Sequence, residues 1–87
     1  MAKKTQTLAV GSTMVTIPRQ LPDGYSKLKI SNYGNYDVYI GDTDLVAASG
    51  FPIFAQTSED FELGIGDSLY VVGNVGEPGT LRIMESR

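Results

Sequence analysis

The feature that most constrains this chain is a repeated alternation of apolar and polar residues in short stretches separated by Gly, Asn, Asp and Pro. In residues 26–31, Leu28 and Ile30 alternate with two lysines. The same spacing of two recurs in three later pairs, Phe61 and Leu63, Leu69 and Val71, and Leu81 and Ile83. A period of two is typical of half-buried strands. Six to eight short strands of this kind form sheets with one apolar face, and two sheets packed together bury that face. The sequence therefore predicts an all-β fold. The specific expectation is a small antiparallel β-sandwich, with a jelly roll as a variant.

Two local predictions follow from the same pattern. Residues 32–36 include Asn and Gly, which tolerate positive φ, and Val38 and Ile40 then resume the alternation. We therefore predict an antiparallel hairpin between residues 26–31 and residues 37–40. The bulky apolar residues Phe51, Ile53, Phe54 and Phe61 are expected in the core, Phe54 with the least support because it shares parity with Pro52.

The length of 87 residues predicts a single domain, with residues 1–24 forming an N-terminal arm and first strand or strands and residues 25–87 the sandwich body. A chain of this size buries only about 60 to 65% of the surface its unfolded form exposes. With no cysteine to form disulfides, association is the expected source of additional stability. The sequence thus predicts a homo-oligomer, with residues 2–20 the segment most free to reach a neighbour.

The residue types present disfavour metal and catalytic chemistry. Without His or Cys, the available ligands suit only hard cations such as Ca²⁺ or Mg²⁺. Asp42 and Asp44 have the alternate spacing of a calcium loop but lack its remaining acids, so a local Asx turn is favoured over a metal. A nucleophile has no His or Cys partner, and so short a chain has little room for a deep cleft between paired carboxylates. We expect no enzyme activity, metal or cofactor.

Charge is distributed unevenly along the chain, although the net value of −3 is small. Basic residues gather before residue 30 and acidic residues between residues 37 and 77. A largely acidic body argues against nucleic acid as a partner. The acids either solvate strands and turns or attract the basic N-terminal segment of another copy, an attraction that salt would weaken. No stretch approaches the roughly 20 apolar residues that cross a bilayer, so neither a membrane partner nor export is expected and the chain should stay in the cytoplasm or in a particle assembled there.

Tyrosines provide the clearest candidates for an interface, because they offer large amphipathic area at low entropic cost. An equally good interpretation is that they cover hairpin edges. With residues of the basic N-terminal segment added, the candidate interface residues are Tyr33, Tyr36, Tyr39, Lys3, Lys4 and Leu8.

One succession of residues also supports a family resemblance. Residues 38–41 (VYIG) are followed by Asp44, then by residues 50–53 (GFPI), an acidic strand and residues 68–71 (SLYV). This order, over residues 27–85, resembles small β-rich structural proteins of tailed bacteriophages, such as capsid decoration or cement proteins and base domains of head fibres.

The resemblance implies a non-enzymatic structural protein of the virion, assembled in the host cytoplasm. It also implies a homo-oligomer such as a trimer, with the major capsid protein or another virion protein as its partner. The main alternative is a carbohydrate- or host-surface-binding module of a phage tail or fibre, and a cellular β domain with a protein partner is a third.

Overall fold

The computed structural model describes residues 3–21, 24–42 and 50–86. Within them the chain forms eight strands joined by turns and loops. In chain order these are β1 (Lys3–Val10), β2 (Val15–Thr16), β3 (Ser26–Asn32), β4 (Val38–Gly41), β5 (Phe51–Ile53), β6 (Ser58–Leu63), β7 (Tyr70–Gly73) and β8 (Gly79–Ser86).

The strands pair into two antiparallel four-stranded sheets, the first in the order β1-β8-β3-β6 and the second in the order β2-β7-β4-β5. Only β4 and β5 are consecutive in sequence and neighbours in one sheet, and every other connection crosses from one sheet to the other. Eight strands arranged in this way form a jelly roll. The predicted all-β sandwich is therefore confirmed.

The core lies between the sheets and follows the alternation read from the sequence. Leu28, Ile30, Leu81 and Ile83 from the first sheet are 0% exposed. In the same core cluster are residues of the second sheet that are at most 3% exposed, namely Val38, Ile40, Ile53 and Val71. Burying each such side chain stabilises the fold by about 1.5–3 kcal/mol, so this apolar interior is the main support of a small domain.

The predicted hairpin between residues 26–31 and 37–40 is wrong. β3 pairs with β6 and β8, whereas β4 pairs with β5 and β7 in the other sheet. Asn32 directs the chain across, since its buried amide donates to the carbonyl oxygens of Tyr36 (2.9 Å) and Ile53 (3.0 Å) and accepts from the Gly34 amide (2.9 Å). The segment between β3 and β4 is thus a crossing between sheets.

The core prediction for the phenylalanines holds only in part. Ile53 is fully buried and Phe61 packs partly against the core, but Phe51 is 52% exposed and Phe54 58% exposed. Phe51 lies on the short edge strand β5, where no further strand covers it among the described residues. Its ring is perpendicular to that of Phe61, at an interplanar angle of 89°, with the two ring centroids 6.0 Å apart.

The N-terminal segment is part of the sandwich. β1 pairs with β8 along its whole length, from Lys3 opposite Ser86 to Val10 opposite Gly79. Val10 is 2% exposed, and Leu8 packs against the core of its own chain. Residues 3–10 are therefore an edge strand, and the expectation that they are free to reach a neighbour is wrong.

The expectation for Asp44, an Asx turn favoured over a calcium-like loop, falls outside the described residues. In the described part of the chain, no helix has the length and apolar character needed to cross a membrane.

Candidate functional site

The two sheets differ sharply in charge. Within the described strands, those of the second sheet carry no charged residue. The strands of the first sheet contain Lys3, Lys4, Lys27, Lys29, Glu59, Asp60, Glu62, Arg82 and Glu85. The uneven charge seen along the sequence is therefore also an asymmetry between the two sides of the sandwich.

The outer side of the second sheet is apolar and aromatic. Tyr39 alternates with the buried Val38 and Ile40, and it lies opposite Pro52 on one side and Val72 on the other. Val72 alternates with the inward Val71 and so lies on this outer side, but it is itself buried, at 5% exposed. We call this surface the aromatic face and define it as Tyr39, Pro52, Tyr70 and Val72 of the strands together with Phe54, which directly follows β5 and shares the parity of Pro52.

The three tyrosines of the predicted interface do not form one surface. Tyr33 is 54% exposed, and the guanidinium carbon of Arg82, from the first sheet, lies 4.9 Å from its ring centroid. Tyr39 lies on the opposite side of the sandwich, in the aromatic face, where its hydroxyl accepts a hydrogen bond from Asn74 Nδ2 at 3.4 Å. Tyr36 is 42% exposed in the crossing between β3 and β4. Tyr39 thus lies in the aromatic face, while Tyr33 borders the charged first sheet.

The predicted N-terminal residues also separate. Lys3 and Lys4 are exposed at the start of the edge strand β1, where their ammonium groups are open to a partner. Leu8 is half-buried and contributes to the core of its own chain. For Lys3 and Lys4, a role in an interface stays a prediction. For Leu8, packing against the core of its own chain already accounts for an apolar residue at this position.

A buried ion pair connects the loops at one end of the sandwich. The Arg19 side chain is 6% exposed and that of Glu85 is 1% exposed, with 2.9 Å between Arg19 Nε and Glu85 Oε2. The remaining Arg19 N–H groups donate to Ser26 Oγ (2.8 Å) and to four backbone carbonyl oxygens, those of Gly64, Asp67, Leu21 and Gly24. One guanidinium therefore holds the β2–β3 loop, the β6–β7 loop and β8 together.

Glu85 is kept charged in this enclosed position. Burial raises the pKa of its carboxyl, but the hydrogen bond from Ser26 Oγ (2.6 Å), those from Arg19 and the Gln20 amide, and the positive charge of Arg19 outweigh burial and hold the pKa below its ordinary value. Both partners are saturated by contacts within the chain. A catalytic acid or base needs a face open to substrate, whereas these two side chains are only 6% and 1% exposed. We therefore interpret the pair as a structural contact.

Sequence reasoning missed this ion pair, although a signal for it exists. Glu85 shares parity with Leu81 and Ile83, so the alternation of β8 directs a carboxylate inward. A buried carboxylate requires a cationic or hydrogen-bonding partner. The partner lies in a loop 66 residues away, and the spacing of the sequence does not identify it.

Asp42 is exposed, and among the described residues no group of three or more His, Cys, Asp or Glu side chains is placed to hold a metal ion. In the same part of the chain, every buried side-chain nitrogen or oxygen has a hydrogen-bond partner. The aromatic face and the charged edge strands β1 and β6 of the first sheet are candidate surfaces for a functional contact.

Comparisons with known proteins bear on the fold. No protein-family model matches the chain, and no curated protein matches it. A solved structure described as Bacillus endospore appendages that form a family of disulfide-linked pili is similar, with a TM-score of 0.60 over 97% of this chain and 82% of that chain, at 15% identity. At this identity the similarity shows a shared fold. Disulfides are named for those pili, whereas these 87 residues contain no cysteine.

Proposed function

We propose that this chain is a non-enzymatic structural protein that docks onto a larger protein assembly and stabilises it through subunit contacts. The observation that carries the proposal is the aromatic face, where Phe54 is exposed and Tyr39, Pro52 and Tyr70 are partly exposed on a sheet whose described strands bear no charge. Apolar and tyrosine-rich surfaces of this kind are typical of protein interfaces. The fold of pilus-forming endospore appendages, an assembly of protein subunits, is in line with such a role.

The assembly that the sequence resemblance implies is the virion of a tailed bacteriophage. In that setting the chain is a capsid decoration or cement protein whose partner is the major capsid protein. Its mechanism is mechanical: contacts buried between the chain and neighbouring shell subunits raise the free energy needed to separate those subunits. The opposite side of the sandwich, with Lys27, Lys29 and Arg82 outward on the central strands of the first sheet, faces solvent.

Charge substitution on the aromatic face tests this proposal. Phe54 is 58% exposed, so Phe54→Glu places a carboxylate in the face with little change to the core. Val75, 87% exposed in the β7–β8 turn, provides a matched control as Val75→Glu. Binding is measured by co-sedimentation with particles that lack the chain. We expect Phe54→Glu to weaken binding about tenfold or more and Val75→Glu to bind as the native chain does. Equal binding by both variants would contradict docking through this face.

The carbohydrate-binding alternative has one specific observation in its favour. An open hollow of about 600 Å³ is lined by Tyr25, Lys27, Glu62 and Ser86, among others. Tyr25 is 77% exposed and offers a ring on which a sugar could stack, beside polar groups able to hydrogen-bond its hydroxyls. Copy number in the particle separates this tail or fibre role from that of a shell protein.

A further inference from the structure

The two edges of the first sheet carry opposite charge. β1, at one edge, presents the exposed Lys3 and Lys4. β6, at the other edge, presents three exposed carboxylates, those of Glu59, Asp60 and Glu62. In the described part of the chain no strand lies beyond β1 or β6 in this sheet.

These edges are also the ones long enough to pair. β1 has eight residues and β6 has six, whereas the edges of the second sheet are β2 with two residues and β5 with three, including Pro52. Every second residue of an edge strand directs its backbone N–H and C=O away from the sheet, which makes such a strand a template for another chain. Proline removes a donor and weakens β5 further as a template.

Strand direction fits a repeating arrangement. β1 is antiparallel to β8, β8 to β3 and β3 to β6, so β6 runs opposite to β1. A second copy placed beside the first in the same orientation therefore brings its β1 antiparallel to β6. Lys3 lies opposite Ser86, Ser86 opposite Lys27, and Lys27 opposite Glu62 in one row across the sheet. Straight continuation of this row places Lys3 of the second copy opposite Glu62 of the first.

Charge distinguishes this arrangement from the others. Pairing β6 with β6 brings carboxylates against carboxylates, which is destabilising. Charged side chains on edge strands commonly protect a protein from association. Repulsion protects only if the two edges that meet carry charge of the same sign. Opposite signs on edges of matching direction attract each other instead.

We propose that copies of this chain join head to tail, with β1 of one copy pairing antiparallel with β6 of the next to form a continuous sheet. The inference rests on the proposed assembly role, for which it supplies the contact between copies. Because the two surfaces differ, the contact is heterologous, and repetition closes into a ring or continues as an array. The aromatic face stays available for docking, since it belongs to the other sheet.

Charge reversal tests the pairing in solution, without any particle. Sedimentation equilibrium gives the self-association constant of the native chain, of Lys3→Glu and of Glu62→Lys. Each variant is expected to weaken association about tenfold or more, because its altered edge repels the edge it meets. An equimolar mixture of the two variants should recover association, since each altered edge then meets one of opposite charge.

Arg82→Glu is the matched control for Lys3→Glu. It makes the same change in net charge on the first sheet, but on the central strand β8. We expect its association constant to stay near the native value, with melting temperatures showing that all variants fold. Three results would each overturn the pairing. They are a native chain that is monomeric, an equal weakening of association by Lys3→Glu and Arg82→Glu, and no recovery of association in the mixture. A monomer that still binds particles would overturn the pairing alone, whereas a self-associating chain that binds no particle would refute the docking role alone.

Discussion

At the scale of single residues, the Arg19–Glu85 pair determines how the loops at one end of the sandwich are held. The two side chains are 6% and 1% exposed, and their hydrogen bonds reach the β2–β3 and β6–β7 loops. Removing one member of a buried ion pair leaves the other charge without compensation. The contribution of the pair is therefore best measured by neutralising Glu85.

We expect Glu85→Gln to lower the free energy of unfolding at neutral pH by about 3 kcal/mol, since the buried guanidinium then lacks its counter-ion. The exposed Glu62→Gln serves as the control and should change stability by about 0.5 kcal/mol or less. Urea denaturation of the three chains gives these values. A loss as small for Glu85→Gln as for Glu62→Gln would contradict a structural role for the pair.

The same pair predicts how stability depends on pH. The pKa of Glu85 in the folded chain is below its ordinary value of 4.5, so the folded state binds this proton more weakly than the unfolded state does. The stabilisation is fully present above about pH 4.5 and is lost as the pH falls through the lower folded-state pKa. The difference in unfolding free energy between native chain and Glu85→Gln should shrink over that acidic range. A difference independent of pH would show that the carboxylate charge is not the cause.

At the scale of strands, β1 has a different role from the one its sequence indicates. A basic, β-branched segment at the start of a chain is compatible with a mobile arm or with a strand, because the residues that pair with it in β8 lie 69 to 83 positions further along the chain. The sequence pattern therefore leaves the position of β1 open, and pairing along the whole of β8 decides it.

Deleting residues 3–10 should abolish folding. The deletion removes the buried Val10 and the half-buried Leu8, and it leaves the long strand β8 unpaired on one side. Far-UV circular dichroism and thermal melting report the loss, with a Thr5→Ser, Thr7→Ser chain as the control at two exposed positions of β1. A truncated chain that melts at the native temperature would show that β1 is dispensable for the fold.

How far the sequence predicts the structure is also clearest at the level of strands. Alternation identifies the inward side chains of β3 and β8, such as Ile30 and Ile83, because a residue's face depends only on its parity. Which strands become neighbours is not a local property. The turn residues before Val38 are equally suited to a hairpin and to a crossing, and the buried Asn32 amide favours the crossing through carbonyls that the sequence does not place together.

The sequence predicts only part of the aromatic face, because the order of strands in a sheet is not a local property of the sequence. Parity alone places Tyr39 outside and makes Phe54 a weak candidate for the core. That Tyr39 lies opposite Pro52 and Val72 depends on the order of strands in the second sheet. The opposite charges of the β1 and β6 edges likewise become meaningful only when the sheet order makes both of them edges.

At the scale of the whole molecule, the jelly roll places the proposed contacts on separate surfaces. In the proposed assembly, the charged side of the first sheet faces solvent, the aromatic face docks onto a protein partner, and the β1 and β6 edges pair with neighbouring copies. Such a division permits a layer in which copies touch one another and the underlying assembly at the same time. Each contact then adds to the stability of the layer without competing for the same residues.

The most direct test of this account is the number of copies of the chain in purified phage particles from its source, measured by mass spectrometry against the major capsid protein. A layer of decorating subunits predicts on the order of hundreds of copies per particle, in a fixed ratio to the shell protein. A few dozen copies or fewer would contradict a decoration role and favour the tail or fibre alternative. Absence from the particles would contradict the virion assignment altogether.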